Sequence, residues 1–265
     1  MKKYYIDGPM GQVHVREFGD HQAPPIVLLH QTAWSSLQFK NAMPYLVEHG
    51  LRCIAVDTPG FGMSDGPDTP PTVQDYAESL AVTLDALNIE QTIMLGHHTG
   101  ASIATAYAIN HPDKLVKLLL HGVPIYSEEA RAERLAKPHF DQTPREDGSH
   151  LTDRWALANS VSGGSATPEA IHWSLVQFFW AGPKEWFGHH AAFKYDMEKD
   201  YQSLEVPTVI LSNSGDVLHK KMPYLRELRP DFRYTEIEGG TFHIIFEEAE
   251  RWSHWVAKHA LEGNV

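Results

Sequence analysis

Residues 96–100 read Gly-His-His-Thr-Gly, set between the apolar run Ile93-Met94-Leu95 and the stretch Ala101-Ser102-Ile103-Ala104-Thr105-Ala106. An apolar run, a five-residue turn with glycine at both ends and a helix-forming stretch predict a strand, a very tight turn and a helix. Only small residues fit at the two ends of such a turn. It lifts the middle side chain out of the sheet and sets it at a helix N-terminus. That middle residue is His98. The spacing therefore dictates the architecture, and the residue it presents leaves the chemistry open.

At 265 residues and 42% hydrophobic content, the chain has material for one sizeable core and too little for two. The net charge of −12, with no run of Lys or Arg, argues against nucleic acid or an anionic membrane surface as a partner. A single cysteine, Cys53, excludes a disulfide framework; within Cys53-Ile54-Ala55-Val56 it reads as a small buried hydrophobe. Met1-Lys2-Lys3 runs into Tyr4-Tyr5-Ile6-Asp7 without an apolar segment, so no signal peptide is expected. No stretch approaches the ~18 apolar residues of a membrane span. The expectation is a soluble cytoplasmic protein.

Short β-type runs alternate with helical patterns, which predicts an α/β fold with a mostly parallel, doubly wound sheet. Strands are expected at 13–18, 26–29, 52–56, 92–95, 116–120, 208–211 and 233–237. The stripe Val73, Tyr76, Ala77, Leu80, Ala81, Leu84, Leu87 predicts an amphipathic helix over 72–87, stopped upstream by Pro70-Pro71. A second stripe runs through Phe246, Ala249, Trp252, Trp255 and Val256. The alternation breaks from about 127 to 188, where no strand pattern occurs and Trp173, Phe178, Phe179, Trp180 and Trp186 cluster. This predicts a helical lid at 127–188 between two parts of one core, 1–126 and 189–265. The lid's aromatics are expected mainly in its own small core and partly in a pocket wall.

Four signatures in order carry a resemblance. Leu28-Leu29-His30-Gln31-Thr32 resembles a strand ending in a His-Gly-x oxyanion loop. Asp57-Thr58-Pro59-Gly60-Phe61-Gly62-Met63-Ser64-Asp65 is similar to a D-x-P-G-x-G-x-S-D turn. Then comes the turn at 96–100, a nucleophile elbow, and last the two segments ending at Asp216 and His243. Together they resemble the α/β-hydrolase family over nearly the whole chain. The chain departs from that pattern at Gln31, where glycine is usual, and at His98, where serine is usual. The resemblance implies an oxyanion hole formed by the backbone N–H groups of Thr32 and Thr99. It also implies an acid at Asp216, after the run Val209-Ile210-Leu211, and a base at His243, before the last helix. These two are expected to be hydrogen-bonded to each other, with Glu128 or Glu129 as the alternative acid.

His98 admits several roles. Imidazole is itself a nucleophile, and its unperturbed pKa of about 6.5 leaves much free base near neutrality. It can equally hold and deprotonate a water together with His243. A degenerate elbow in a ligand-binding protein is the alternative without catalysis. A third possibility is a divalent metal held by His30, His98, His121, His243 and Asp216, although no local H-x-x-x-H spacing supports it, and His30 and His121 also read as structural. His97 is expected to pack beneath the elbow and His189-His190 to be exposed; Asp147–Leu151 could bring a polar group over the pocket but is not assigned that role. The sequence thus predicts a lidded hydrolase for a small ester, lactone or activated C–C bond. Its site is His98, Asp216 and His243 with Thr32 and Thr99, its partner a small-molecule substrate, and no cofactor or metal is required. An engineered replacement of a natural serine at 98 stays open at this level.

Overall fold

The computed structural model describes residues 1–263. Eight strands form one sheet in the order β1-β2-β4-β3-β5-β6-β7-β8. They are β1 (Lys2–Gly8), β2 (Gly11–Phe18), β3 (Pro25–Leu29), β4 (Arg52–Val56), β5 (Thr92–His97), β6 (Leu115–His121), β7 (Thr208–Asn213) and β8 (Arg233–Ile237). β1 and β2 pair antiparallel, as do β2 and β4, and every pairing from β4 to β8 is parallel. The helices α1 (Met43–Glu48), α2 (Val73–Ala86) and α3 (Thr99–Asn110) lie between successive strands. Five more, α4 (Glu128–Leu135), α5 (Ser149–Val161), α6 (Pro168–Ala181), α7 (Phe187–Lys194) and α8 (Met197–Gln202), separate β6 from β7. The chain continues with α9 (Met222–Leu228), α10 (Ile244–Glu247) and α11 (Ala249–Leu261).

Side chains on a strand alternate between faces, and β3 divides its core accordingly. Val27 and Leu29 join Tyr76, Leu80, Leu84, Ile103 and Tyr107 under α2 and α3. Ile26 and Leu28 join Phe39, Leu46, Trp252 and Val256 under α1 and α11. Cys53 is buried in the second layer, where burial pushes its thiol up to about 12, so it packs as an inert hydrophobe. α2 begins at a capping box in which the Thr72 hydroxyl accepts the Asp75 N–H and the Asp75 carboxylate accepts the Thr72 N–H.

Three expectations change. β1 is absent from the sequence prediction because it is an edge strand with only half of one face covered; its Lys2, Tyr4 and Ile6 alternation is too weak to stand out. The C-terminal stripe is two helices, broken at Glu248, with Phe246 on the first packed against Trp34. The segment between β6 and β7 is helical as expected, with no strand among the described residues, but its helices continue to Gln202. Among the described residues no helix is long and apolar enough to cross a membrane.

The Asp57–Asp65 turn is a structural knot. Asp57 is buried, and its carboxylate accepts the N–H groups of Ser36 (2.6 Å) and Met63 (2.9 Å) and pairs with His14 Nδ1 (2.8 Å). Burial alone would raise its pKa, but these contacts and His30 outweigh it and hold the carboxyl below its ordinary value. The insertion is latched onto the same loop: Trp180 Nε1–H donates to the Gly62 carbonyl at 2.6 Å, and Lys184 donates to Asp68 at 3.0 Å. Asp57→Ala strands two buried amides and His14, so it should lower unfolding free energy by about 3–5 kcal/mol. Urea unfolding measures this directly, and a loss below about 1 kcal/mol would contradict it.

Candidate active site

β5 ends at His97 and α3 begins at Thr99, leaving His98 in the turn with φ 51° and ψ −114°. Positive φ is disfavoured for a residue with a Cβ, and here the close packing of strand and helix imposes it. A Cβ on Gly96 would strike the Gly100 carbonyl, and one on Gly100 would strike that of Leu29. The two glycines are therefore required by contact.

From this turn His98 reaches Asp216, in the turn after β7, with Nε2 2.7 Å from Oδ2. The other carboxylate oxygen accepts the Leu218 N–H at 2.7 Å. Burial alone would raise the Asp216 pKa, but the charge and hydrogen bond of His98, with the Leu218 amide and His121, hold it below the ordinary carboxylate value. An ionised carboxylate only accepts, so His98 carries its proton on Nε2. Its Nδ1 is left as the basic atom.

This pairing differs from the expected one. His243 is 1% exposed, and neither of its ring nitrogens has a hydrogen-bond partner among the described residues. It packs against Trp34 and Phe242, with ring centroids 5.6 and 4.1 Å away, and does not line the adjoining cavity. Burial, then the charge of His98, pushes its pKa down to about 4. The physical reason for the exchange is length: an imidazole on the elbow spans the gap that a serine would leave for a second side chain. Gly122, just after β6, clears the way, since a Cβ there would strike the His98 ring. Sequence reasoning missed Gly122, and its only signal is a glycine following a strand-terminal histidine.

The remaining histidines have settled roles. His30 bonds the Gln31 carbonyl through Nδ1 (2.9 Å) and accepts the Thr58 N–H at Nε2 (3.0 Å). His121 accepts Trp252 Nε1–H at Nδ1 (3.1 Å) and bonds Asn213 Oδ1 through Nε2 (3.0 Å). Burial pushes its pKa down to about 4. With both nitrogens engaged, neither ring is a free metal ligand, which removes two members of the expected metal set. His97 is buried beneath the elbow as expected. His97, His98 and Asp216 do place three donor atoms within 4.8 Å of one another. However, the Gln38 side-chain oxygen accepts the Gln31 N–H (3.1 Å), so its amide N–H donates to His97 Nδ1 (2.7 Å). That arrangement leaves the proton on His97 Nε2, 4.0 Å from Asp216, and a protonated nitrogen cannot ligate a metal.

Gln31 is accommodated without left-handed backbone, and its side chain donates to the Phe242 carbonyl at 3.3 Å. It thereby ties the oxyanion loop to the loop of His243. The backbone N–H groups of Thr32 and Thr99 have no acceptor among the described residues. Thr99 is the first residue of α3, where unpaired amides and the helix dipole favour negative charge.

These groups border a cavity of about 360 Å³, roofed by Leu157, Ala158, Ser174 and Phe178 of α5 and α6. Of the five clustered aromatics, Phe178 alone lines it; Trp173 packs toward Trp34 and Trp186 stacks on His139. Whereas His190 is half-buried, His189 is exposed as expected and lines this cavity. Burial among protein atoms, then His98 and Arg154, pushes its pKa down to about 4. Asp147–Leu151 does not reach the cavity, and His150 caps the Arg145 N–H instead. Glu128 and Glu129, the alternative acids, start α4 away from it. Arg154 and Glu185 line it and were invisible as site residues in the sequence.

The sequence model of the α/β hydrolase fold matches residues 24–250. The chain is 29% identical over 216 residues to the non-heme chloroperoxidase of Streptomyces lividans, covering 77% of this chain and 78% of that protein. A relative from Mycobacterium phage D29 is 33% identical over 96 residues, 36% of this chain and only 34% of its own length. Among solved structures, the enol-lactonase of Burkholderia xenovorans LB400 superposes with a TM-score of 0.81 at 20% identity, over 98% of this chain and 100% of that one. With the elbow, the strand order and the oxyanion loop in place, the chain belongs to the α/β-hydrolase fold family and is an enzyme of the hydrolase type.

Proposed function

We propose that this enzyme hydrolyses a small ester or lactone with His98 as general base. The observation that carries the reading is the 2.7 Å bond from His98 Nε2 to Asp216, which leaves Nδ1 as the basic atom of a side chain that lines the cavity. A substrate carbonyl oxygen rests on the Thr32 and Thr99 amides. Nδ1 takes a proton from water as the water oxygen bonds to the carbonyl carbon, and Asp216 stabilises the imidazolium. The same proton then passes to the leaving oxygen as its bond to carbon breaks. His243 has no part in this relay and serves as packing behind Phe242. The segment 127–188 acts as the lid that keeps bulk water out. An activated C–C bond flanking a carbonyl fits the same groups, with carbon as the leaving atom.

Fluorophosphonates should leave the enzyme unlabelled, because no serine occupies the elbow and Ser102, beside it, is fully buried. Rapid-quench intact-mass measurement with an activated ester should show no acyl adduct during turnover. Stoichiometric labelling, or a burst-phase acyl enzyme on His98, would replace this reading with covalent catalysis.

A further inference from the structure

Arg154, on α5, and Glu185, in the turn before α7, both line the cavity that His98 faces. The Arg154 guanidinium lies 4.1 Å over the Phe178 ring and 5.9 Å from that of Phe140. Its Nε is buried and has no hydrogen-bond partner among the described residues. Glu185 is only 6% exposed, yet no ion pair joins it to Arg154. Burial pushes the Glu185 carboxyl up to about 7, with Arg154 only partly opposing, so its negative charge is weakened near neutrality. The wall thus holds an under-compensated cation that stacks on an aromatic ring. Leaving such a charge without an anion in a desolvated site is costly. Apolar or aromatic side chains, among them Trp34, Phe193, Leu218 and Phe242, make up much of the remaining wall, with Ser174 and His189 as further polar groups.

We infer that the substrate carries a carboxylate, bound by Arg154, on a compact aromatic or branched apolar body. A carboxylate matches the guanidinium fork, and the body fills a cavity of this size. Anchoring that end at α5 turns the other end of the molecule toward His98. This orientation rests on the proposed function, whereas the binding itself does not.

Titration calorimetry with phenylacetate and neutral phenylacetamide tests the binding. Wild type should bind phenylacetate at least tenfold more tightly than phenylacetamide. R154Q should lose about tenfold or more of the phenylacetate affinity and leave phenylacetamide unchanged. E185Q, which removes only the weakened charge, should hold phenylacetate within about threefold of wild type. H98A should bind it as wild type does while losing turnover, so failure of the base assignment and failure of the anchor give different results. Equal affinity of wild type for the two probes overturns the inference even if R154Q does not fold, as does unchanged phenylacetate binding by a folded R154Q.

Discussion

His98→Ala should lower kcat/KM by about 10²–10⁴-fold, Asp216→Asn by a comparable factor, and His243→Phe by less than about tenfold. The ordering matters more than the size. In a site where a serine is activated by histidine and aspartate, the histidine before the last helix is indispensable. Here that residue is His243, which touches neither Asp216 nor the cavity. Because His98 and Asp216 act as one unit, the double variant should be little worse than either single one. Steady-state kinetics on the four variants decides the matter. Loss of activity in His243→Phe to the level of His98→Ala, with the fold intact, would return His243 to the relay.

The second large effect is acid lability. His121 and His243 are held neutral down to about pH 4 in the folded protein, whereas the unfolded chain protonates histidine below about 6.5. Between those values the unfolded state binds more protons, so stability falls as pH falls and is level above about 7. Each ring accounts for about 3 kcal/mol at the acid end of that window. His30 and His97, also shifted down by burial, act in the same direction. Against a typical total of about 5–15 kcal/mol, this should unfold the protein near pH 4.5. Urea midpoints measured from pH 8 to 4.5 should drop steeply below 6.5. His121→Gln, which removes one titrating ring and keeps polar atoms for Asn213 and Trp252, should flatten the slope. A flat wild-type profile would contradict the neutral buried rings. The loss expected from Asp57 and Asp216, whose pKa values are depressed, belongs below about pH 4, where those carboxylates take up protons.

The elbow, the parallel strands from Pro25 to Ile237 and the helical insertion were all legible in the sequence. They rest on local rules: which residues tolerate a tight turn, and how apolar positions repeat along a strand or helix. The position of Asp216, in a turn that closes a buried strand, was legible for the same reason. Its partner was not. Whether Asp216 meets His98 or His243 depends on the reach of a ring from the elbow and on the space that Gly122 leaves beside it. Those residues are brought together only when β5, β6 and β7 lie side by side. Arg154 and Glu185 were equally hidden, because a polar residue in a helical insertion looks like a solvated face until the fold shows that it borders a cavity. Short-range sterics and periodicity thus determined the scaffold and the turn that presents His98. Long-range packing decided which side chains share a proton, because hydrogen bonding depends on ångström-scale distances between segments that are far apart in the chain.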